Sequence, residues 1–279
     1  LTVAGLLVFV ATFVGAQTPT CDTLVGDQAD LAEELLVTQR PYDCCSDTIA
    51  ICLKQKPTCS LAFRLSENIC RRIAEGQSRE KIVHNLLRRA RSVLLEGNRT
   101  EIDLTFLPVA GDESAPITLV EYAGPRCPYC ADITLKLHDA IVNGQLKGKV
   151  KTYLKPFPIR SHAQSKESGL AFFAAARLGY FWEFVLRFYQ RFDLYCAANQ
   201  LTWAEAVGMD RETFQQTMAD SETRELLVAS KKEGIVNQVE GTPTFFINGR
   251  KYQAELRYEE LVDVLEEEFE RIKGLQYHQ

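Results

Sequence analysis

Cys127 and Cys130 lie two residues apart in the stretch "GPRCPYCADI", with Pro128 directly behind the first thiol. A pair at this spacing suits three chemistries: disulfide exchange with other proteins, a glutathione couple, or half of a metal site. If a helix begins here, unpaired backbone N–H groups and the helix dipole stabilise a Cys127 thiolate. Pro128 fits the first helical turn because its missing N–H needs no partner there. Arg126 adds a positive charge next to the thiol, whereas Asp132 in the same turn opposes it. Cys130, one turn further in, is expected to be more buried and poised to attack a mixed disulfide.

Two other residues fit the same chemistry. Glu121 stands in the middle of the apolar run "ITLVEYA", six residues before Cys127. A carboxylate there is expensive to bury, so a role relaying the proton that Cys130 must lose accounts for it. An outward-facing residue on a strand edge is the plainer alternative. Thr242-Pro243 opens a strand, which suggests a cis turn whose backbone can hydrogen-bond an extended peptide. The alternative is an ordinary strand-leading proline. The metal reading meets a difficulty, since a tetrahedral zinc site needs a second closely spaced cysteine pair. Cys44 and Cys45 are adjacent, and the other cysteines are seven or more residues apart. Two methionines and four histidines are too few for a copper carrier, and no cofactor is called for. The formal charge of -5, with no dense basic patch, argues against nucleic acid as a partner.

The elements that must position these residues read from Ile117 onward. "ITLVEYA" is a buried strand, and the cysteine pair leads from it into the helix "ADITLKLHDAIV". "KVKTYLKPFPI" is a second strand, and a long helical block follows from about His162 to Lys232. "TPTFFINGRKYQ" reads as a hairpin turning at Asn248-Gly249, and "YEELVDVLEEEFERI" as a closing amphipathic helix. This order is thioredoxin-like. The expected class is α/β, a thioredoxin-like fold over 117–273 with an inserted helical subdomain at about 162–238.

The 279 residues leave room for a second region. The opening "LTVAGLLVFVATFVGAQ" is apolar, short for a bilayer span and ends in small residues, so residues 1–16 read as a partial secretory signal. An uncleaved membrane anchor is the alternative. Either way the chain is expected to be exported, to the periplasm or beyond, where disulfides persist. Residues 21–96 carry six of the nine cysteines and read as a small all-α cysteine-rich domain, with 97–116 as a linker plus a first short strand. Helices are expected over 47–56, 60–75 and from "SREK" onward. The apolar stripe of the last is assigned to a small core or to a coiled-coil seam with a sister chain, and "RRAR", Arg88 to Arg91, to a solvated face. If the first two helices form an antiparallel hairpin, nearly constant index sums pair Cys52 with Cys59 and Cys45 with Cys70. Cys21 is then left to Cys44, and Cys196 stays alone. Cysteine spacing by itself does not fix the connectivity. Asn98-Arg99-Thr100 is a glycosylation sequon.

"VEYAGPRCPYC" followed by "VEGTPTFFINGR" resembles the DsbA family of periplasmic thiol-disulfide oxidoreductases over about residues 105–273. The resemblance implies Cys127 as nucleophile, Cys130 as resolving thiol, Glu121 as buried proton carrier, and Thr242-Pro243, with Pro128 and Tyr129, as the docking surface for substrate. It implies exported proteins bearing cysteines as clients and a membrane redox partner. Two features depart from the family's pattern. The dipeptide is Pro128-Tyr129, where the strongest oxidases carry Pro-His and glutaredoxins carry Pro-Tyr. The cysteine-rich front domain is absent from simple members. Some relatives oligomerise through an N-terminal helical segment and act as isomerases, and the front domain has a weak likeness to the thiol reductants of cytochrome c maturation. Oxidase, isomerase and reductase therefore stay open, as does a non-catalytic, disulfide-stapled interaction domain.

Overall fold

The computed structural model describes residues 20–55, 59–94 and 99–277, so the apolar opening and Asn98 lie outside the described residues. Among those described, no helix is long and apolar enough to cross a membrane. The chain divides into two compact units, one ending at Val83 and the other beginning at His84.

The first unit is helical and stapled. Helix α1 (Asp27–Thr38) packs Ala32 and Leu35 inward, α2 is the single turn Ile49–Cys52, and α3 (Ser60–Ala74) buries Leu61, Leu65, Ile69 and Ile73 at four-residue spacing. Disulfides join Cys21 to Cys70, Cys44 to Cys59 and Cys45 to Cys52. All six front cysteines are thus bridged, but to different partners from those the index sums gave. The reason is that the segment expected to form a helix over 47–56 forms only one turn, so no long hairpin with α3 exists. α1, which the sequence reading did not single out, packs on α3 instead. A unit this small needs such bridges, because its core alone buries little apolar area.

Helix α4 (Arg79–Leu94) runs across the division between the units. The basic run within it is not a uniformly solvated face: Arg89 is fully buried. Its guanidinium is bonded to Glu267 and lies 3.5 Å from Asp263. Both acids belong to α11 (Tyr258–Tyr277), as does Glu260, which accepts a 2.8 Å hydrogen bond from Asn85. Ser92 Oγ accepts from the backbone N–H groups of Gln253 and Ala254. Polar residues, together with the buried Val93 of the apolar stripe, tie this end of α4 down, while Leu87 and Leu94 stay exposed.

The second unit is built on a five-stranded sheet. The strands are β1 (Ala110–Gly111), β2 (Ile117–Ala123), β3 (Val150–Pro156), β4 (Thr244–Ile247) and β5 (Arg250–Lys251), in spatial order β1-β3-β2-β4-β5. β2 and β3 run parallel and every other pairing is antiparallel. Helix α5 (Pro128–Val142) makes the crossover between the parallel strands. Five helices separate β3 from β4: α6 (Ser165–Arg177), α7 (Phe181–Gln190), α8 (Ala197–Ala206), α9 (Arg211–Ala219) and α10 (Ser221–Val236). Phe172, Phe184, Phe188 and Phe214 are fully buried there, in one cluster with Cys127 and Cys130. Val120, Tyr122, Phe157 and Phe246 form a separate cluster. This is a thioredoxin-like fold with an inserted helical subdomain.

Gly234 of α10 lies where that second cluster is tightest. A Cβ there would stand 2.5 Å from a Phe157 ring carbon and 3.1 Å from one of Tyr122. Gly234→Ala is expected to destabilise this unit by about 1–3 kcal/mol through overpacking, despite alanine's better helix propensity. Urea unfolding followed by Trp182 and Trp203 fluorescence, both in this unit, measures it. Unchanged stability would mean the rings give way freely.

Candidate active site

β2 ends at Ala123, and the chain turns through Gly124–Arg126 before α5 begins at Pro128. The Cys127 N–H donates to the Gly124 carbonyl at 2.9 Å, closing the turn. Cys127 itself is the N-cap of α5, in extended backbone geometry, next to the first free N–H groups of the helix. The Thr242-Pro243 bond is cis. The loop it forms comes down on the thiol, with Cys127 Sγ 3.3 Å from the Thr242 carbonyl oxygen. Gly124 permits this approach. A Cβ there would lie 2.6 Å from Thr242 Oγ1 and 3.2 Å from Cys127 Cβ. Both cysteines are buried and unbridged.

The two thiols are driven apart electrostatically. Cys127 is lowered from 9.0 to about 6, first because the Cys130 thiol donates to it. Burial opposes the shift, while backbone N–H groups of Cys130 and Tyr129 and the side chain of Thr242 add to it. The Thr242 hydroxyl is buried with no other hydrogen-bond partner, so a thiolate beside it is the acceptor it lacks. Cys130 is pushed well above the ordinary range, chiefly by burial, then by its bond to Cys127 and by the charges of Glu121 and Cys127. At neutral pH one sulfur is a thiolate and the other a thiol.

Glu121 pairs with Leu154 of β3 and Phe245 of β4, so it lies mid-sheet and buried rather than on an edge. Burial raises it from 4.5 to about 8, the Cys127 charge adds to this, and a hydrogen bond from Thr134 opposes it. The Thr134 hydroxyl stands 2.8 and 2.9 Å from the two carboxyl oxygens. The carboxyl therefore holds a proton through neutral pH within the same buried cluster of charges as the dithiol.

Of the residues singled out from sequence, Cys127, Cys130, Glu121, Thr242 and Pro243 converge here. Pro128 opens the helix, and Tyr129 is 77% exposed beside the pair. Together with Ile133, Leu256, Thr242 and Pro243, Tyr129 lines an open cleft of about 460 Å³. Arg126 turns elsewhere. Its guanidinium stacks over Phe192 and Tyr195, 4.6 and 4.2 Å from the ring centres, and donates to the Phe192 carbonyl. It is not among the groups that lower Cys127. Cys196 is free and exposed at the start of α8.

Two residues were missed. Thr134 carried a signal, being a polar residue one turn beyond Cys130 on the same helix face. Tyr189 carried none, because it comes from α7 of the insert. Its hydroxyl donates to the Gly124 carbonyl at 3.4 Å, and burial together with the charges of Cys130, Glu121 and Cys127 raises it well above the phenol range.

With this geometry in hand, comparison with known proteins finds a match to the thioredoxin family model over residues 107–267. The chain is 32% identical over 153 residues to the Na(+)/H(+) antiporter NhaA 3 of Salinispora tropica, covering 55% of this chain and 23% of that protein. It spans about a quarter of the length of the curated relatives it matches. Among solved structures it is similar to BdbD of Bacillus subtilis, at TM-score 0.52 and 19% identity over 62% of this chain and 97% of that one. It is also similar to the thiol-disulfide exchange protein α-DsbA2 of Wolbachia pipientis, at TM-score 0.50 and 18% identity over 66% and 97%. At these identities the likeness is one of fold.

The shifts fix a pH dependence for the reduced protein. Glu121 is raised, so its contribution to stability is full below about 4.5 and is lost as pH rises to about 8. Cys127 is lowered, so its contribution is full above about 9 and is lost as pH falls to about 6. Of these two groups only Glu121 acts between about 4.5 and 6, and it costs up to about 1.4 kcal/mol per pH unit as pH rises, while His138, lowered from 6.5 by burial, acts in the opposite sense below 6.5. Glu121→Gln is expected to remove that slope, seen as the difference between variant and wild type in urea unfolding at several pH values. Parallel curves would place the proton elsewhere. Thr242→Val is expected to raise the Cys127 pKa above about 6 in a thiolate absorbance titration.

Proposed function

We propose that this chain, which belongs to the thioredoxin family, is an exported protein thiol-disulfide oxidoreductase whose Cys127–Cys130 couple exchanges disulfides with cysteines of client polypeptides. The observation that carries this reading is the opposed perturbation of two thiols in one Cys-x-x-Cys turn beneath a cis-proline loop. A structural disulfide needs no lowered thiol, and among the described residues no group of three or more candidate ligands could hold a metal ion. Three bridges in the first unit support export, since disulfides persist in oxidising compartments.

In the oxidising direction a client thiolate attacks Cys127 Sγ of the internal disulfide. The Cys127–Cys130 bond breaks, a mixed disulfide forms, and Cys130 leaves as a thiolate in a site that disfavours charge. Glu121, protonated up to about 8, gives its proton to Cys130 as that charge develops. A second client thiolate then attacks the client sulfur of the mixed disulfide. The client gains its disulfide, Cys127 departs as the stabilised thiolate, and two electrons have passed from client to protein. The reducing direction is the reverse. There the Cys127 thiolate attacks a client disulfide, which removes the Cys127 charge that helps hold the Glu121 proton; Glu121, once it has released that proton, takes the one on Cys130 before Cys130 resolves the intermediate. Repeated turnover in either direction requires a redox partner that resets the couple.

A thiolate stabilised from 9.0 to about 6 favours the reduced couple, hence a more oxidising one, by roughly 30 mV at neutral pH. The reduction potential is expected to lie between about -270 and -120 mV, the values of thioredoxin and DsbA. Equilibration of the full chain in glutathione buffers, with Cys196→Ser as the background, measures it. Cys130→Ser is expected to accumulate a mixed disulfide with disulfide-bonded client protein, and Cys127→Ser to lose exchange. If no couple titrates, the reading is wrong.

A further inference from the structure

Two clefts meet at Pro243. The first is the one beside Tyr129. The second, of about 620 Å³, is lined by Arg88, Gln238, Phe245, Lys251 and Tyr252, and it shares Pro243, Glu255 and Leu256 with the first. An extended chain that lies across the cis-proline to reach Cys127 therefore continues into the second cleft, advancing about 3.3 Å per residue.

The two clefts differ in charge. On the Tyr129 side Lys136 is already paired with Asp132 at 2.8 Å, and Arg257, Glu255 and Glu259 complete the charged lining, so acids outnumber cations there. In the second cleft the cations are Arg88 and Lys251, against the single acid Glu255 that it shares with the first. Arg88 Nε donates to the Gln253 carbonyl at 2.8 Å, and Lys251 Nζ to the Gln238 carbonyl at 2.6 Å. Carbonyl oxygens orient these groups without neutralising them, and among the described residues neither cation has a carboxylate partner. Arg88 is brought here by α4, which the neighbouring Asn85, Arg89 and Ser92 fasten to α11 and the segment before it. Lys251 is fixed by β5, hydrogen-bonded to β4 directly after the proline loop.

We propose that this second cleft is a client subsite that selects an acidic side chain a few residues from the client's cysteine, with Arg88 and Lys251 as the groups that recognise it; the assignment rests on the exchange reading above. The occupant is the flank of the same polypeptide whose sulfur meets Cys127. Continuity through Pro243 supplies the path, and the two unneutralised cations supply the selection. The surface charges act on capture of the client rather than on the sulfur chemistry, so their effect falls on kcat/KM and weakens as salt screens it.

The test uses the oxidised full chain and reduced single-cysteine peptides that differ only in carrying Glu, Gln or Lys two to five residues from the cysteine, on either side. The rate of mixed-disulfide formation with each is divided by the same protein's rate with dithiothreitol, which has no flanks. Wild type is expected to prefer the Glu peptides over the Lys peptides by about threefold to tenfold on one flank, less at high salt. Arg88→Gln with Lys251→Gln is expected to erase that preference, and Arg88→Glu with Lys251→Glu to invert it. A wild type blind to charge, or a preference that survives the double glutamine variant, overturns the subsite while leaving exchange standing. No exchange with dithiothreitol overturns the exchange reading, and this inference with it.

Discussion

The site depends on charge confined where water cannot reach it. Glu121, Cys130 and Tyr189 are buried together, and each is held towards its neutral form mainly by that burial. Only Cys127, at the helix start, is given the donors that make its anion stable. The division of labour follows from position and from the bond between the two sulfurs. The first thiol accepts from the second and sits by the unused backbone N–H groups at the start of α5, whereas burial dominates at the second. A proton released by the inner thiol has nowhere in solvent to go, so a carboxyl in the same enclosure becomes necessary. Thr134 keeps that carboxyl in one place without ionising it.

The helical insert is what seals the enclosure. Its aromatic core, dominated by edge-to-face contacts around Phe172 and Phe188, continues into the cluster that contains both thiols. Two contacts reach from it to the loop before the nucleophile: Tyr189 to the Gly124 carbonyl, and the Phe192–Tyr195 pair to the Arg126 guanidinium. The Gly124–Arg126 loop is thus held by the insert on one side, while Thr242 crowds Gly124 on the other. Arg126 contributes to the site by fixing this loop, which is a different role from lending the thiol its charge.

Much of this was legible in the sequence because it is local. The Cys-Pro-x-Cys turn, the acid inside an apolar strand and the Thr-Pro before a strand each announce a backbone constraint that neighbouring residues state by themselves. What was not legible depends on long-range packing. Tyr189 looks like any aromatic residue of an amphipathic helix until α7 is placed over the redox loop. Arg89 looks like a surface cation until α11 brings Glu267 and Asp263 to it. The cysteine pairing failed for a related reason. An index sum assumes which helices face each other, and α1, not a long second helix, faces α3.

The bridges of the first unit also bear on how such a protein coexists with its own chemistry. A thiolate that attacks disulfides threatens every disulfide it can reach, including those of its own chain. Exchange requires the attacking sulfur to approach along the S–S axis, so access governs the rate as much as potential does. In each of the three bridges one partner is buried: Cys70 for Cys21, Cys59 for Cys44 and Cys52 for Cys45. In the Cys21–Cys70 and Cys45–Cys52 bridges, attack on the outer sulfur must expel a thiolate into an apolar core, which the missing solvation disfavours; in the third, the inner Cys59 accepts one backbone N–H, from Ala62. The Cys127–Cys130 pair has the same asymmetry, one inner sulfur and one outer, with two additions to its outer and inner sulfurs respectively. Backbone N–H groups stabilise the outer thiolate, and a buried carboxyl supplies the proton that lets the inner one leave. The difference between a disulfide that persists and one that turns over is then a matter of where charge and protons can go, rather than of the sulfur bond itself.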